Sequence, residues 1–217
     1  MIYVSTGGVK NQPAWKTSED FFDNGIKNIE LSGGEYDQDM LTKLKKLITT
    51  IPDFPVKGIQ YKDVTSILEN PKAFQYTVTK LTDFCMRNKI TDIVAPDARG
   101  FLWGAPVALD MEIPLHIVRK PGKLPGPLHT HHFTYEYAET NLNIKQDAKL
   151  GPDSNVCIID DVSATGGTAS AIFELLQEFK VMDMKYACVI DLTFLEGTAK
   201  LNEYCGIETY SVVEYDA

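Results

Sequence analysis

The chain has 217 residues, of which 44% are apolar and 24% charged, and its net charge is −9. That length suits one domain of ordinary size with an appendage, and that composition supports a single packed core. The acidic balance argues against a nucleic-acid-binding face, which shows as a basic patch, yet it leaves room for a small anion held by local amides and a few cations. No apolar run approaches the roughly 20 residues that span a bilayer, so no membrane partner is expected. Met1 to Ser5 lacks the basic and apolar regions of a signal peptide. The four cysteines, Cys85, Cys157, Cys188 and Cys205, form no CxxC pair. Cys157 and Cys188 sit in apolar, strand-like runs as small hydrophobes, which points to a reduced, cytoplasmic protein.

The first 38 residues read as an extension of unknown role, set apart from a domain over 39–217. Tyr3 to Gly8 reads as a strand and turn, Trp15 to Asn24 as a helix, and Ile26 to Leu31 as a second strand before Ser32-Gly33-Gly34. This βαβ-like unit is similar to the opening of a TIM-barrel sugar-phosphate domain, but it is far too short to close a barrel. From residue 40 helices and strands alternate. Met40, Leu41, Leu44, Leu47, Ile48 and Ile51 recur at helical spacing. Asn70-Pro71 reads as an N-cap and first helical residue, opening a helix that turns Phe74, Val78, Leu81 and Cys85 inward. Asp92 to Pro96 is a short strand, Phe101 to Leu109 a helix, and Leu115 to Val118 a strand. Val156 to Ile159 is a continuous apolar run, as in a buried parallel strand. Thr168 to Phe179 reads as a helix, then Tyr186 to Leu192 and Thr209 to Val213 as strands. The alternation predicts an α/β fold with a mainly parallel central sheet flanked by helices.

Between Arg119 and Asp147 the pattern breaks into Gly122, Pro125, Gly126 and Pro127, then three histidines and several tyrosines. A stretch this long reads as a flexible flap or hood. Phe133, Tyr135 and Tyr137 alternate with polar residues, so a β-hairpin arm is equally compatible. His129 and His131 would share a strand face, but no nearby cysteine or carboxylate completes a zinc set at the usual spacing. They read as solvated or substrate-adjacent histidines.

The strongest chemical signal is the run Val156-Cys157-Ile158-Ile159-Asp160-Asp161-Val162-Ser163-Ala164-Thr165-Gly166-Gly167-Thr168. A buried strand ends in two acids, then a small-residue loop, then a helix. Backbone N–H groups from Ala164 to Thr168 can converge on a phosphate at the helix N-terminus, and the glycines allow close approach. Thr165 and Thr168 add hydroxyls. Asp160 and Asp161 are no phosphate ligands; they suit ribose hydroxyls and Mg²⁺ held through water. The run is neither a Walker A loop nor a dinucleotide fingerprint.

This run resembles the motif that binds 5-phosphoribosyl pyrophosphate (PRPP) in type I phosphoribosyltransferases. Three further segments bring the resemblance to the adenine phosphoribosyltransferases: Ile51 to Thr65, containing Ile59-Gln60-Tyr61-Lys62; Asp97-Ala98-Arg99-Gly100 through Pro106; and Arg119 to Gly126 followed by Tyr135-Glu136-Tyr137. It covers roughly residues 45–217. It implies the type I phosphoribosyltransferase fold and the reaction of adenine with PRPP and Mg²⁺ to give AMP and pyrophosphate, in a homodimer. It implies that Asp97, Ala98, Arg99, Arg119 and Lys123 bind pyrophosphate, and that Ile59, Gln60, Tyr61 and Lys62 form the base site, with Tyr61 stacked on the purine. Arg99, Lys123, Glu136 and Tyr137 are the implied catalytic residues, the last two closing over the ribosyl centre. Alone, Arg99 reads as a surface or capping arginine and Tyr61 as a core aromatic. The chain departs from the family pattern at Gln60, Tyr61, Lys62, Ala98, Ala138 and Val162-Ser163. Another purine base, or a sensor that binds PRPP without turnover, remains open at this point.

Overall fold

The structure is a computed structural model that describes residues 34–54, 56–135 and 138–216. The chain divides into two units, Met1–Asp39 and Met40–Ala217. The strand, helix and strand expected before residue 32 lie outside the described residues.

The first helix, α1 (Gly34–Leu47), gives way to the strand β1 (Thr49–Pro52), which pairs antiparallel with β2 (Gln60–Asp63). The helical spacing of Met40 to Ile51 therefore holds only to Leu47; Ile51 is a strand residue opposite Tyr61. After the short helix α2 (Thr65–Leu68), Asn70 caps α3 (Pro71–Arg87) as expected, its side chain accepting from the Ala73 N–H at 3.1 Å. Then follow β3 (Asp92–Pro96), α4 (Gly100–Asp110), β4 (Leu115–Val118), the hairpin β5 (Leu128–Tyr135) and β6 (Ala138–Lys145), β7 (Asn155–Ser163), α5 (Gly167–Gln177), β8 (Asp183–Leu192), a 3₁₀ turn over Thr193–Leu195, α6 (Gly197–Cys205) and β9 (Glu208–Tyr215).

The central sheet runs β4-β3-β7-β8-β9, and every neighbouring pair is parallel. Alternate residues of its strands serve two cores. Cys157 and Ile159 pack with Leu44 of α1, Leu81 and Phe84 of α3, and Trp103 of α4. Val156 and Ile158 pack with Ile172 and Leu175 of α5 and Leu201 of α6 on the opposite face. Helices thus cover both faces, which is why β7 reads as unbroken apolar sequence. Leu142 and Ile144 of the hairpin join the second core, and Arg119, just past β4, exchanges two backbone hydrogen bonds with Asn143. The segment between Arg119 and Asp147 is therefore a hairpin whose base is anchored to the sheet.

Candidate active site

The strand order reverses direction between β3 and β7. In open α/β sheets the crevice at the carboxyl ends of such a strand pair is where ligands bind. Both expected loops emerge there: Asp97-Ala98-Arg99 after β3, and Ala164 to Gly167 after β7. Arg119 follows β4, the next strand over. Elements distant in sequence meet because parallel strands deliver their carboxyl ends to one edge.

The loop after β7 is shaped as an anion cradle. Gly166, at the N-cap of α5, has φ of 82°, a left-handed conformation that an L side chain rarely adopts. It turns the chain so that the first N–H groups of α5, which have no intrahelical acceptor, face outward. Asp160, Ser163, Ala164, Thr165, Gly167 and Thr168 line a pocket at this helix end. The helix dipole favours negative charge there.

The two acids are carried on the end of β7, which is longer than its apolar run; Asp160 lines the pocket, whereas Asp161 is buried and turned to Arg99. Burial, and then the charge of Asp161, push the Asp160 carboxyl well above the usual carboxylate range. Burial also pushes Asp161 up, against the Arg99 guanidinium, which favours its charged form. Arg99 Nε lies 2.6 Å from Asp161 Oδ2, as an ion pair rather than a well-aligned hydrogen bond. The same guanidinium donates to the Tyr61 hydroxyl. Arg99 thus bridges the strand of the expected base site to the acids.

The second cationic group is built on Asp97, whose side chain is 5% exposed. Its Oδ2 takes Arg119 Nε at 3.0 Å and Lys123 Nζ at 3.3 Å. Burial pushes this carboxyl up, but the hydrogen bonds and charges of Arg119 and Lys123 outweigh burial and hold it below its ordinary value. The peptide bond between Asp97 and Ala98 is cis. One buried acid therefore holds two cations that are themselves 29% and 49% exposed and able to reach a ligand.

The expected base residues are divided between the faces of β2. Tyr61 faces Arg99 and packs edge-on against Phe54 at 5.1 Å. Lys62 points to the other side, donating to Thr50 Oγ1 at 2.9 Å and lying over the Tyr215 ring at 4.2 Å. Gln60 and Ile59 are exposed. Glu136 and Tyr137 lie outside the described residues. Among the described residues no group of three potential ligands could hold a metal. His131 instead pairs with Glu174 at 3.1 Å and His129 lies 3.7 Å from Glu178, so both face α5.

Two contributors were missed in the sequence. Tyr186 of β8 lines the cradle pocket. Gly197, at the start of α6, backs the loop so closely that a Cβ there would lie 2.4 Å from the Ala164 carbonyl. The Glu196-Gly197 pair offers only a weak turn signal, and nothing local links it to residue 164.

The chain matches the Phosphoribosyl transferase domain over residues 63–203. It is 43% identical over 173 residues to the adenine phosphoribosyltransferase of Maridesulfovibrio salexigens, covering 79% of this chain and 98% of that one. The chain belongs to the adenine phosphoribosyltransferase family. The Colwellia psychrerythraea member is 45% identical over 77% of this chain and 92% of its own. The crystal structure of the Thermoanaerobacter pseudethanolicus adenine phosphoribosyltransferase superposes with a TM-score of 0.76 at 39% identity, covering 81% of this chain and 99% of that one. The Giardia lamblia enzyme, complexed with 9-deazaadenine, also gives 0.76, at 33% identity over 82% and 98%. The type I phosphoribosyltransferase fold expected from the motifs is the one observed.

Proposed function

We propose that this family member transfers the 5-phosphoribosyl group of PRPP to adenine, giving AMP and pyrophosphate. The observation that carries the reading is the meeting, at one sheet edge, of an anion cradle with two acids and a separate cation cluster. PRPP needs all three: a 5′-phosphate seat, hydroxyl acceptors and a pyrophosphate seat.

In this reading the loop from Ala164 to Thr168 holds the 5′-phosphate, and Asp160 and Asp161 accept the ribose hydroxyls. Arg99, Arg119 and Lys123, with Asp97 and Ala98, hold the departing pyrophosphate. Tyr61 stacks on adenine, flanked by Ile59 and Gln60. Lys62 acts from the opposite face of β2 by fixing that strand. As C1′ bonds to the base nitrogen, pyrophosphate leaves with the C1′–O bonding pair and the base gives up its proton. Developing positive charge on the ribosyl centre is stabilised by the anionic acids beside it. Glu136 and Tyr137, which follow β5 in sequence, close over that centre in this reading and exclude water. The acid pair fits Mg²⁺ bound through water with PRPP, because Arg99 pairs with Asp161 and leaves Asp160 for another cation. There Mg²⁺ would supply charge neutralisation of the pyrophosphate.

We also propose a homodimer in the cytoplasm. Leu102 and Leu109 share one face of α4 and are 40% and 78% exposed, and Ile117 is exposed on the edge strand β4. Apolar area of this kind in water marks an interaction surface. Light scattering should give twice the chain mass, and Leu109→Asp should lower it. Residues 1–38 stand outside the transferase domain in this reading.

The deciding experiment is pyrophosphate release from PRPP and Mg²⁺ with adenine, guanine, hypoxanthine or no base. Release with adenine alone is expected, whereas release with another base would move the substrate. Asp97→Asn should raise the KM for PRPP about tenfold through loss of charge-assisted contacts that orient Arg119 and Lys123. Both cations are partly exposed, so the effect on stability is small. An unchanged KM would show that the cations do not depend on Asp97.

A further inference from the structure

We propose that Tyr186 is a further binding residue of the phosphate cradle, its hydroxyl donating to the 5′-phosphate from beneath the loop. This rests on the cradle being the 5′-phosphate seat. Among the described residues lining the pocket, all but Tyr186 belong to the single segment 160–169, and Tyr186 comes from the neighbouring strand. It pairs in register with Ile158, two residues before Asp160, and so shares one sheet face with both. The residue is only 2% exposed, yet it lines the pocket, so it is a packed core aromatic that borders the cradle.

The hydroxyl is the polar atom of this side chain, its hydrogen-bonding neighbours are the Ser163 and Cys188 side chains, and Asp160 stands on the same sheet face. Ser163 and Cys188 are neutral partners within reach of the phenol, and a phosphate oxygen, being charged, is the stronger acceptor. A tyrosine phenol is an O–H donor at neutral pH, and a phosphate oxygen is an acceptor. The backbone amides approach the phosphate from the helix end; Tyr186 adds a donor from the sheet, which the loop motif cannot encode.

Tyr186→Phe keeps the ring and removes only the donor. Calorimetric titration with AMP, adenosine and pyrophosphate compares the wild type, Tyr186→Phe and Thr165→Val, with a thermal melt confirming that each is folded. A hydrogen bond to a charged group predicts that Tyr186→Phe weakens AMP about tenfold while adenosine and pyrophosphate stay within about twofold. In turnover the KM for PRPP rises and kcat holds. If AMP binds Tyr186→Phe as tightly as the wild type, or if AMP and adenosine weaken equally, the hydroxyl only packs the core and the proposal falls. Thr165→Val separates this from the parent reading. Loss of AMP affinity there alone keeps the cradle and removes Tyr186 from it, whereas no loss in either variant removes the 5′-phosphate seat itself.

Discussion

Replacing Asp160 with asparagine is expected to make the protein more heat-stable and a far poorer enzyme. The carboxyl is held well above the usual carboxylate range, first by burial and then by the charge of Asp161. A carboxyl with a native pKa above its unfolded value binds protons preferentially in the folded state. Its ionised form then costs stability, and that cost grows as pH rises from the unfolded value through the native one. Asparagine removes the charge and keeps the volume, and its amide oxygen can still accept from the Asp161 N–H, now 2.8 Å from Asp160 Oδ1. Relief of a buried like-charge pair is worth about 1–3 kcal/mol, and each kcal/mol shifts Tm by roughly 2–4 °C at this size. A rise of roughly 4 °C at neutral pH is expected, shrinking toward acid pH where the wild type protonates as well. Loss of the anionic acceptor should lower kcat/KM about 100-fold, or about 3 kcal/mol. Asp161→Asn should not gain as much, because Asp161 already has the Arg99 guanidinium at 2.6 Å. Melts across pH test the claim, and a lower Tm for Asp160→Asn at neutral pH would overturn it.

That such a costly acid pair survives at the end of β7 is what made the site legible in the sequence. Ionisable residues directly after a buried apolar strand are hard to explain by packing, so Asp160 to Thr168 stood out without any structure. The helices and strands of the sheet were legible for a similar reason: α3 carries its own cap in Asn70, and β4 and β7 carry the apolar pattern of their surroundings. The β1–β2 hairpin was not, because its four-residue strands are exposed or half-buried and lack a hydrophobic run. Nor was α6, whose residues have little amphipathic pattern and whose position depends on contact with a loop more than 30 residues earlier. The division of Tyr61 and Lys62 onto opposite faces follows from strand periodicity, but only once β2 is known to be a strand. Site residues defined by tertiary approach, such as Tyr186 and Gly197, carry no local mark.

Gly197→Ala tests the consequence of such an approach, and its two opposing effects differ enough in size to be separated. Alanine is the better helix former by up to about 1 kcal/mol, so propensity alone predicts a gain at the start of α6. Contact predicts the reverse. The added Cβ would lie 2.4 Å from the Ala164 carbonyl oxygen, 2.7 Å from the Gly166 nitrogen and 2.9 Å from Ser163 Oγ. Two of these are backbone atoms of the cradle, which cannot rotate aside as a long side chain can. Retreat of α6 is opposed by the Thr198 hydroxyl, which donates to the buried Asp191 carboxylate at 2.5 Å, and by the fully buried Leu201. The loop must therefore move, and Gly166 cannot absorb the change easily because its own Cβ position faces the Gly197 carbonyl at 2.9 Å. Overpacking against backbone costs about 1–3 kcal/mol and outweighs the propensity gain, so Tm should fall by several degrees. Displacing the loop amides should raise the KM for PRPP and the Kd for AMP by about 10- to 100-fold, while pyrophosphate binding, which the proposed function assigns to Arg119 and Lys123, changes little. A variant with wild-type PRPP affinity would mean that the cradle takes its shape from its own sequence and not from the helix behind it.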